Sequence, residues 1–507
     1  MTMQASTEAI KTPVPLFRNV TWAVFGLSVF ERTSYFTLKF LLILVLADQM
    51  RLGDARAALV MGAAIMVNSL VYPLSGLLSD RVVGLRFTLM MGLCLITPGY
   101  LLLSFMIDFN PNGPSDVFKI SSFLGTLAVT LCGIGIVRLA GFNMVRCTLP
   151  DGDHRNERLY ALYYWVDTIA ALLGTITAGT LAQKFGWTPV LGGLAAGMLA
   201  CGIVIHFNRR QLYLPDETNI KTRRPALGIA ITGSLITGAF VLLNFPTLAG
   251  LAILLMATGI AVFIYRNKHE FKSPKHREYL YAFSIVTICS VLFATVQEQQ
   301  WSSLVLFADR VVDRTAFGVT LHASHFQAIG PIMLVLLTPV VAAMAGRNRL
   351  ATSSGRLSAL LKKITLAFLV ISMCFGVLYA STFFTNADSK VHLLWLVAAL
   401  MLAGPSELFI FPAAYNAVTE NAPPKLASTM SGLHFTCYAA VGYASGLLAS
   451  LAGRVSLDQG LAAVVLNYRD FLFLTILIGG GFMLFVLACA YVIKLPAIAK
   501  TLDNSSN

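Results

Sequence analysis

The chain has 507 residues, of which 57% are hydrophobic and only 12% are charged, about half the charged share of an ordinary soluble domain. This composition excludes a water-soluble fold. About 20 apolar residues cross the core of a bilayer, so the length accommodates a dozen or more crossings and predicts a polytopic membrane protein. The first apolar run is longer than the apolar core of a signal peptide, and we predict no cleaved segment.

Fourteen apolar segments follow one another along the chain, and each is expected to be a helix, because only a helix satisfies its own backbone groups in lipid. They lie near 20–47, 56–79, 85–107, 117–146, 157–183, 187–207, 226–245, 247–266, 280–308, 322–346, 364–385, 391–418, 426–452 and 470–494. The links 208–225 and 267–279 are charged and isolate the seventh and eighth helices. We therefore predict an all-α membrane protein with six helices, an inserted hairpin and six further helices.

This plan divides the chain into a tail (1–19), a six-helix bundle (20–207), linkers around the hairpin at 226–266 (208–279), a second bundle (280–494) and a final tail (495–507). The net charge of +13 reflects orientation rather than a nucleic-acid partner. Its basic residues gather in the links after the second, fourth and sixth segments, among them Arg81, Arg86, Arg155 and Arg224. By the positive-inside rule both tails are cytoplasmic, and we expect an inner (plasma) membrane protein.

The sequence lacks the common enzyme and cofactor signatures. The eight cysteines are scattered singly, without the paired spacing of a zinc site or a disulfide framework. No HExxH, GxSxG or Walker-type GxxxxGK[ST] pattern occurs. We predict neither enzymatic activity nor a metal or other cofactor.

The first helix carries a polar stripe on an otherwise apolar sequence. Ser28, Glu31, Arg32, Tyr35 and Lys39 recur at steps of three and four residues, so they share one face of the helix. Ionisable side chains inside a membrane are costly and usually face a cavity or a partner. The stripe is either a functional site or a charge cluster that holds helices together, and its three ionisable groups favour the site.

The fourth and fifth helices add two more intramembrane charges. Arg138 follows two glycines that permit close helix approach, and its guanidinium needs an acid, for which Glu31 is the natural candidate. Tyr163 and its neighbouring tyrosines share a face with Asp167. Aromatic packing explains the tyrosines as well as a binding role does, but it does not explain the aspartate.

The second half contributes the carboxylates of Glu298 and Glu407, which have no Lys or Arg nearby on their own helices. We interpret them as groups disposed to bind and release a proton, and the cavity between the halves as dipolar. Such a field suits a zwitterion. Two neighbouring acid–base pairs, Asp309–Arg310 and Asp313–Arg314, form either a solvated link or a gate on the outer side.

Five stretches resemble a known family. The link after the second helix, with Asp80, Arg81, Gly84 and Arg86, fits a GxxxDRxxGxR loop and resembles the major facilitator superfamily. The other four narrow this to the proton-coupled oligopeptide transporter (POT) family, whose ExxERFSYY, FYxxIN, EQxxSSLxLFADR and GEL...VTxxAP motifs are similar to the sequences at Glu31–Phe36, Leu162–Asp167, Glu298–Arg310 and Glu407–Pro423.

The resemblance implies a two-bundle fold that alternates access and imports small peptides with protons. It assigns conformational gating to the loop around Asp80 and proton coupling to Glu31, Arg32 and Glu298. It places a peptide carboxylate at Arg32, Lys39 and Arg138, and the peptide amino group at Glu407. Its substrate-site positions are Arg32, Tyr35, Lys39, Arg138, Tyr163, Asp167, Glu298, Glu407 and Phe411.

Several departures from the family pattern fall on this site, and three of them change the chemical type of the side chain. Ser28 stands where the family has the first Glu of ExxER, Asp167 stands where it has Asn, and Phe411 stands where it has Ser. We hypothesise that Asp167 offsets the missing glutamate and takes part in proton coupling.

Two classes of function remain. The first is a proton-coupled transporter that imports peptides or peptide-like zwitterions, or else moves a specialised product such as a small siderophore or a modified amino acid in either direction. The second is a proton-translocating respiratory subunit, which the Asp80–Arg86 loop and the helix plan disfavour. The expected partners are a peptide-like solute, protons and the lipid bilayer, with no nucleic acid and a monomeric state.

Overall fold

A computed structural model describes residues 18–108, 117–149, 156–212, 224–316, 318–345, 353–385, 390–419, 423 and 426–505. The described chain is almost entirely helical. Its first six helices are α1 (Asn19–Leu44), α2 (Asp54–Leu77), α3 (Leu85–Asp108), α4 (Val117–Arg146), α5 (Asn156–Phe185) and α6 (Trp187–Phe207). Two π-helical turns, Val45–Gln49 and Leu78–Val82, extend α1 and α2. Within this half, α1 packs against α5 and α6, and α3 packs against α4 and α6.

The inserted hairpin consists of α7 (Pro225–Asn244) and α8 (Ala249–Arg266). Pro225 occupies the first position of α7, where its missing N–H is not needed by the helix. The helix α7 packs against α4, whereas α8 contacts α14 of the second half. Only 6% of the span that contains α8 is buried inside the protein, so most of this helix faces outward.

The second half begins with a broken helix. The helices α9 (Pro274–Gln297) and α10 (Ser303–Arg310) are separated by a 3-10 turn, Glu298–Trp301, and form one candidate span of 37 residues. The remaining helices are α11 (Ile329–Ala345), α12 (Ser353–Ser381), α13 (Leu393–Thr419), α14 (Ala427–Ala452) and α15 (Leu461–Ser505). Counting α9 and α10 as one helix, the described chain has fourteen long helices, as predicted.

Eleven helical spans of the described chain are long and apolar enough to cross a membrane. The helix α1 is not among them, because Glu31, Arg32 and Lys39 interrupt its apolar sequence. The last of the eleven, α15, continues through Ser505 and so includes most of the predicted final tail.

Four strands of two residues each lie outside the helices. The strands β1 (Val312–Asp313) and β4 (Val391–His392) pair in parallel, and β2 (Thr315–Ala316) and β3 (Val319–Thr320) form an antiparallel pair. They cap one end of the helix bundle without adding a sheet layer. We call this end, which also carries residues 45–53, the Arg310 end, and the opposite one the Arg86 end.

The two halves meet most extensively along α2 and α14. Gly62 of α2 faces Gly442 and Gly446 of α14, and a Cβ atom on any of these three glycines would meet backbone atoms of the opposite helix. Small residues let two helix backbones approach closely. We call this contact the α2–α14 seam. Its last glycine, Gly453, lies against Asp54 at the Arg310 end.

Candidate functional site

The polar stripe of α1 meets α5 through the carboxylate of Asp167. Arg32 Nε lies 2.6 Å from Asp167 Oδ2, and the Ser28 hydroxyl donates a hydrogen bond of 3.1 Å to Asp167 Oδ1. Asp167 is 9% exposed. The Asp167 carboxylate therefore lies beside Ser28, the residue of α1 that replaces the first glutamate of the ExxER motif.

A second cation closes this cluster from α4. Arg138 Nη1 lies 3.6 Å from Glu31 Oε2, and Arg138 Nη2 lies 3.8 Å from Asp167 Oδ2. The predicted pairing of Arg138 with Glu31 is confirmed, and Asp167 is a further partner. Two carboxylates and two guanidiniums thus form one compact network, which we call the α1 cluster. Glu31 is only 3% exposed, so this network is largely shielded from bulk water.

The next charge along α1 connects the two halves. Lys39 Nζ lies 3.0 Å from Glu298 Oε2 and 3.1 Å from Glu298 Oε1. The ammonium also lies 5.4 Å from the centre of the Trp301 ring, within the range of a cation–π interaction. The interpretation of Glu298 as a carboxylate without a cationic partner is therefore wrong: its own helix supplies none, but the long side chain of Lys39 reaches it from the other half.

Glu407 of α13 has neutral partners instead. Gln297 Nε2 donates to Glu407 Oε1 at 2.5 Å, and Gln300 Nε2 donates to the same oxygen at 3.4 Å. Gln297 is the last residue of α9 and Gln300 lies within the 3-10 turn that breaks the helix, so the break places Glu298 close to both partners of Glu407. Ser406 adds a hydrogen bond to Gln297 Oε1.

Aromatic side chains pack around these charges. The Tyr163 ring, one helical turn before Asp167, lies 5.6 Å from that of Phe25 in an edge-on contact. Tyr35 contacts Phe36 of its own helix. Phe411, one turn after Glu407, lies 5.7 Å from Phe293 and 6.4 Å from Tyr438, measured between ring centres. An aromatic surface therefore adjoins Glu407 at the position of the third sequence departure.

The predicted gating loop lies at the Arg86 end. Gly84 has a φ of +85°, a backbone conformation that favours glycine, and Arg86 Nη2 lies 3.0 Å from His206 Nδ1 of α6. The side chains of Asp80 and Arg81 lie outside the described part of the chain.

The Arg310 end carries an ion-pair cluster that joins the halves. Arg310 of α10 pairs with Asp48 and with Asp54, the latter at 3.1 Å, and also with Asp309 at 2.7 Å. Arg314 pairs with Asp309 at 2.9 Å. Between the two alternatives for this region, the structure favours a gate, because Asp48 and Asp54 belong to the first half and Arg310 to the second.

Comparison with known proteins adds a family assignment to this geometry. The family model described as POT family matches residues 86–464, which is well over half of the chain. The chain belongs to the POT family. POT proteins are transporters and not enzymes, so the prediction of no enzymatic activity is confirmed and the respiratory-subunit alternative is excluded.

Similar POT relatives are distant in sequence but match over almost their whole length. The dipeptide and tripeptide permease A of Escherichia coli is 24% identical over 488 residues, covering 92% of this chain and 93% of the relative. The permease A of Erwinia pyrifoliae is 24% identical over 457 residues, covering 88% and 87%.

Solved structures show the same fold. Tetrameric PepTSo2 matches with a TM-score of 0.73 at 17% identity, covering 95% of this chain and 99% of that one. A mutant of a POT peptide transporter in complex with alafosfalin matches with a TM-score of 0.69 at 21% identity, covering 93% and 94%. The predicted fold class, with two six-helix bundles and an inserted hairpin, is confirmed.

Sequence reasoning missed several residues of this POT site. Asp48 and Asp54 resemble ordinary loop acids, and their partner lies more than 250 positions away in the chain. Gln297 and Gln300 flank Glu298 in a polar run, which was a signal, but their bonds to Glu407 depend on the position of α13.

Proposed function

We propose that the chain is a proton-coupled symporter that imports small peptides or peptide-like zwitterions by alternating access. The observation that carries this proposal is the Lys39–Glu298 ion pair, which joins the two halves inside the membrane. A pair between halves can form and break as the halves move, unlike a pair within one bundle. Its partly buried position lets a bound ligand compete for either charge.

The neighbouring groups suit the two ends of a zwitterion. A peptide carboxylate can take the place of Glu298 on Lys39, and of the two cations of the α1 cluster Arg32 lies on the same helix while Arg138 lies on α4. A peptide ammonium can bind Glu407, whose described hydrogen bonds come from the neutral amides of Gln297 and Gln300. The named relatives are dipeptide and tripeptide permeases, which supports this substrate class.

Proton coupling is assigned to Glu31, Arg32, Asp167 and Glu298. When a peptide carboxylate occupies Lys39, Glu298 loses its counter-charge, and a proton is the simplest replacement. The α1 cluster holds two carboxylates and two guanidiniums close together, so a proton on Asp167 weakens the pairing of both guanidiniums and a proton on Glu31 weakens that of Arg138. Asp167 occupies the space beside Ser28 and supplies the acid that α1 lacks there.

Reconstituted liposomes with an inward proton gradient and labelled Ala-Ala test the transport function. Wild type is expected to accumulate the peptide, and Glu298→Gln is expected to lose accumulation by more than tenfold, because it leaves Lys39 in place without its carboxylate. Exchange of labelled for unlabelled peptide requires no net proton movement and should survive in Glu298→Gln. Wild-type accumulation that does not respond to the gradient would refute proton coupling.

The role of Asp167 is tested by moving its carboxylate. Asp167→Asn should lose gradient-driven uptake while keeping exchange, and the double variant Ser28→Glu with Asp167→Asn should recover it, since the acid returns to the same location beside Arg32. Undiminished uptake in Asp167→Asn contradicts the assignment. Failure of the double variant, with the protein folded, shows that position 167 and not the local charge is required.

A second candidate is transport of a specialised peptide-like product, inward or outward. It is favoured by Phe411, whose ring continues the surface of Phe293 and Tyr438 next to Glu407. An aromatic wall favours bulky or aromatic ligands over small polar ones. A thermal-shift screen of peptides against modified amino acids distinguishes the two, since only a bound solute raises the melting temperature.

We further propose an inner-membrane location with both tails cytoplasmic, the division into bundles at 20–207 and 280–494, and a monomer. The basic links support the orientation. Cross-linking in native membranes tests the monomer, and one structure with the same fold is tetrameric.

A further inference from the structure

A groove of about 570 Å³ lies between the end of α8 and the start of α9, apart from the transport site. Its lining includes Tyr265, Lys268, Phe271, Arg277, Leu280 and Tyr281. Phe271 is 5% exposed and belongs to a small core cluster with Phe283 of α9. The floor is therefore packed protein, while the tyrosines and the two cations are exposed at the rim.

The groove lies at a membrane surface. One candidate span ends at Arg266 and the next begins at Pro274, so the groove lies where two crossings meet the headgroup region. Tyrosine is enriched at that level of a bilayer. The span containing α8 has a mean hydropathy of 2.4 and is only 6% buried, so acyl chains necessarily cover the helix that forms one wall.

Charge at the rim selects the headgroup. Lys268 and Arg277 face the same groove from opposite sides of the link. Lys268 Nζ lies 4.6 Å from the centre of the Tyr265 ring, which holds the ammonium near the opening. From Arg266 to Glu278 the sequence has five Lys or Arg residues and two Glu residues, so the surrounding link is also positive.

We propose that this groove binds an acidic phospholipid of the bilayer. The lipid phosphate accepts hydrogen bonds from Lys268 and Arg277, and an acyl chain follows the apolar wall at Leu280. Basic pockets between membrane helices are suited to acidic headgroups. The bound lipid would link the hairpin, which packs weakly on the protein, to the first helix of the second bundle.

Native mass spectrometry of the full-length protein with phosphatidylglycerol or phosphatidylcholine tests the proposal. Wild type is expected to bind phosphatidylglycerol more tightly. The double variant Lys268→Gln with Arg277→Gln should weaken phosphatidylglycerol binding by about 30-fold, and each single variant by about fivefold, from two cations acting near the surface. Phosphatidylcholine binding should be unchanged.

The matched control is Lys272→Gln with Lys275→Gln, which removes the same charge from the same link at exposed positions outside the groove lining. It should retain wild-type binding. Equal loss in both double variants would mean general surface attraction and overturn the site, as would a wild type without headgroup preference. Inorganic phosphate should not displace the lipid, and displacement would identify a site for free anions instead.

Discussion

Replacing Arg310 with glutamine should shift the transporter away from the state in which the Arg310 end is closed. Arg310 lies on α10 of the second half and pairs with two carboxylates of the first half. Glutamine keeps much of the side-chain length but removes the charge. Asp48, Asp54 and Asp309 then face one another without the guanidinium that separates them.

The magnitude follows from the exposure of each pair. The side chains of Arg310 and Asp54 are each 15% exposed, and a hydrogen bond to a charged group in such a position contributes about 1.5–3 kcal/mol. Asp48 is 48% exposed, so solvent screens its pair and its contribution is about 0–1 kcal/mol. A total of about 2 kcal/mol corresponds to a change of about 30-fold in the ratio of closed to open states.

Spin labels on either side of the seam measure this shift. Arg56 of the first half and Leu457 of the second are exposed positions at the Arg310 end, suitable for labels in a variant without native cysteines. In Arg310→Gln we expect a large population of molecules with a longer distance between the two labels. In wild type this population should be small.

The matched control for this measurement is Arg314→Gln. Arg314 pairs with Asp309 and with the Leu321 carbonyl, all in the second half. Removing it changes the charge equally without breaking a pair between halves. Unchanged distances in Arg310→Gln, or an equal shift in Arg314→Gln, would refute the assignment of a gate.

Two further predictions concern the seam and the Arg310 end. Gly442→Ala should open the seam or lower the melting temperature, because its Cβ would meet the Met66 backbone. Gly432→Ala on the same helix has free space around the added Cβ and should leave the melting temperature unchanged. Equal effects of the two substitutions would contradict this prediction. Burial and the neighbouring His325 lower the pKa of His322 below its usual value, so protonating it destabilises this end as pH falls through and below about 6.5. At pH 8 the neutral His322 ring forms a hydrogen bond with Ser324, so His322→Gln should lower the stability by about 1 kcal/mol. The difference in melting temperature between variant and wild type should shrink at pH 5.5. A difference that does not depend on pH would contradict this prediction.

Much of the fold was predictable because membrane helices obey one strong rule. A backbone in lipid must be satisfied within its own segment, so apolar run length located the helices and the charged links isolated the hairpin. The polar stripe of α1 was predictable for the related reason that charges at depth are rare. The pairing of Arg138 with Glu31 followed because each needed an opposite charge nearby.

The pairing of Lys39 with Glu298 was not predictable from local sequence. The two residues are 259 positions apart, and nothing on either helix shows how α1 and α9 are aligned. The sequence left open a gate at Asp309 and Asp313, but its partners Asp48 and Asp54 were missed for the same reason, since they lie more than 250 positions from Arg310. The break at Glu298–Trp301 was also missed, since its sequence contains neither glycine nor proline and the break follows from packing.

The α2–α14 seam lowers the free energy needed for the two halves to move apart and together again. Most helix contacts order side chains as they form, which costs up to about 2 kcal/mol of conformational entropy for each long side chain. The glycines of this seam have no side-chain rotamers and do not incur this cost. Backbone meets backbone, so closure and separation leave the facing surfaces unchanged and return them to the same alignment. The two halves can therefore separate and return along the seam with little loss of side-chain entropy. The ion pairs then determine the free-energy difference between the two states.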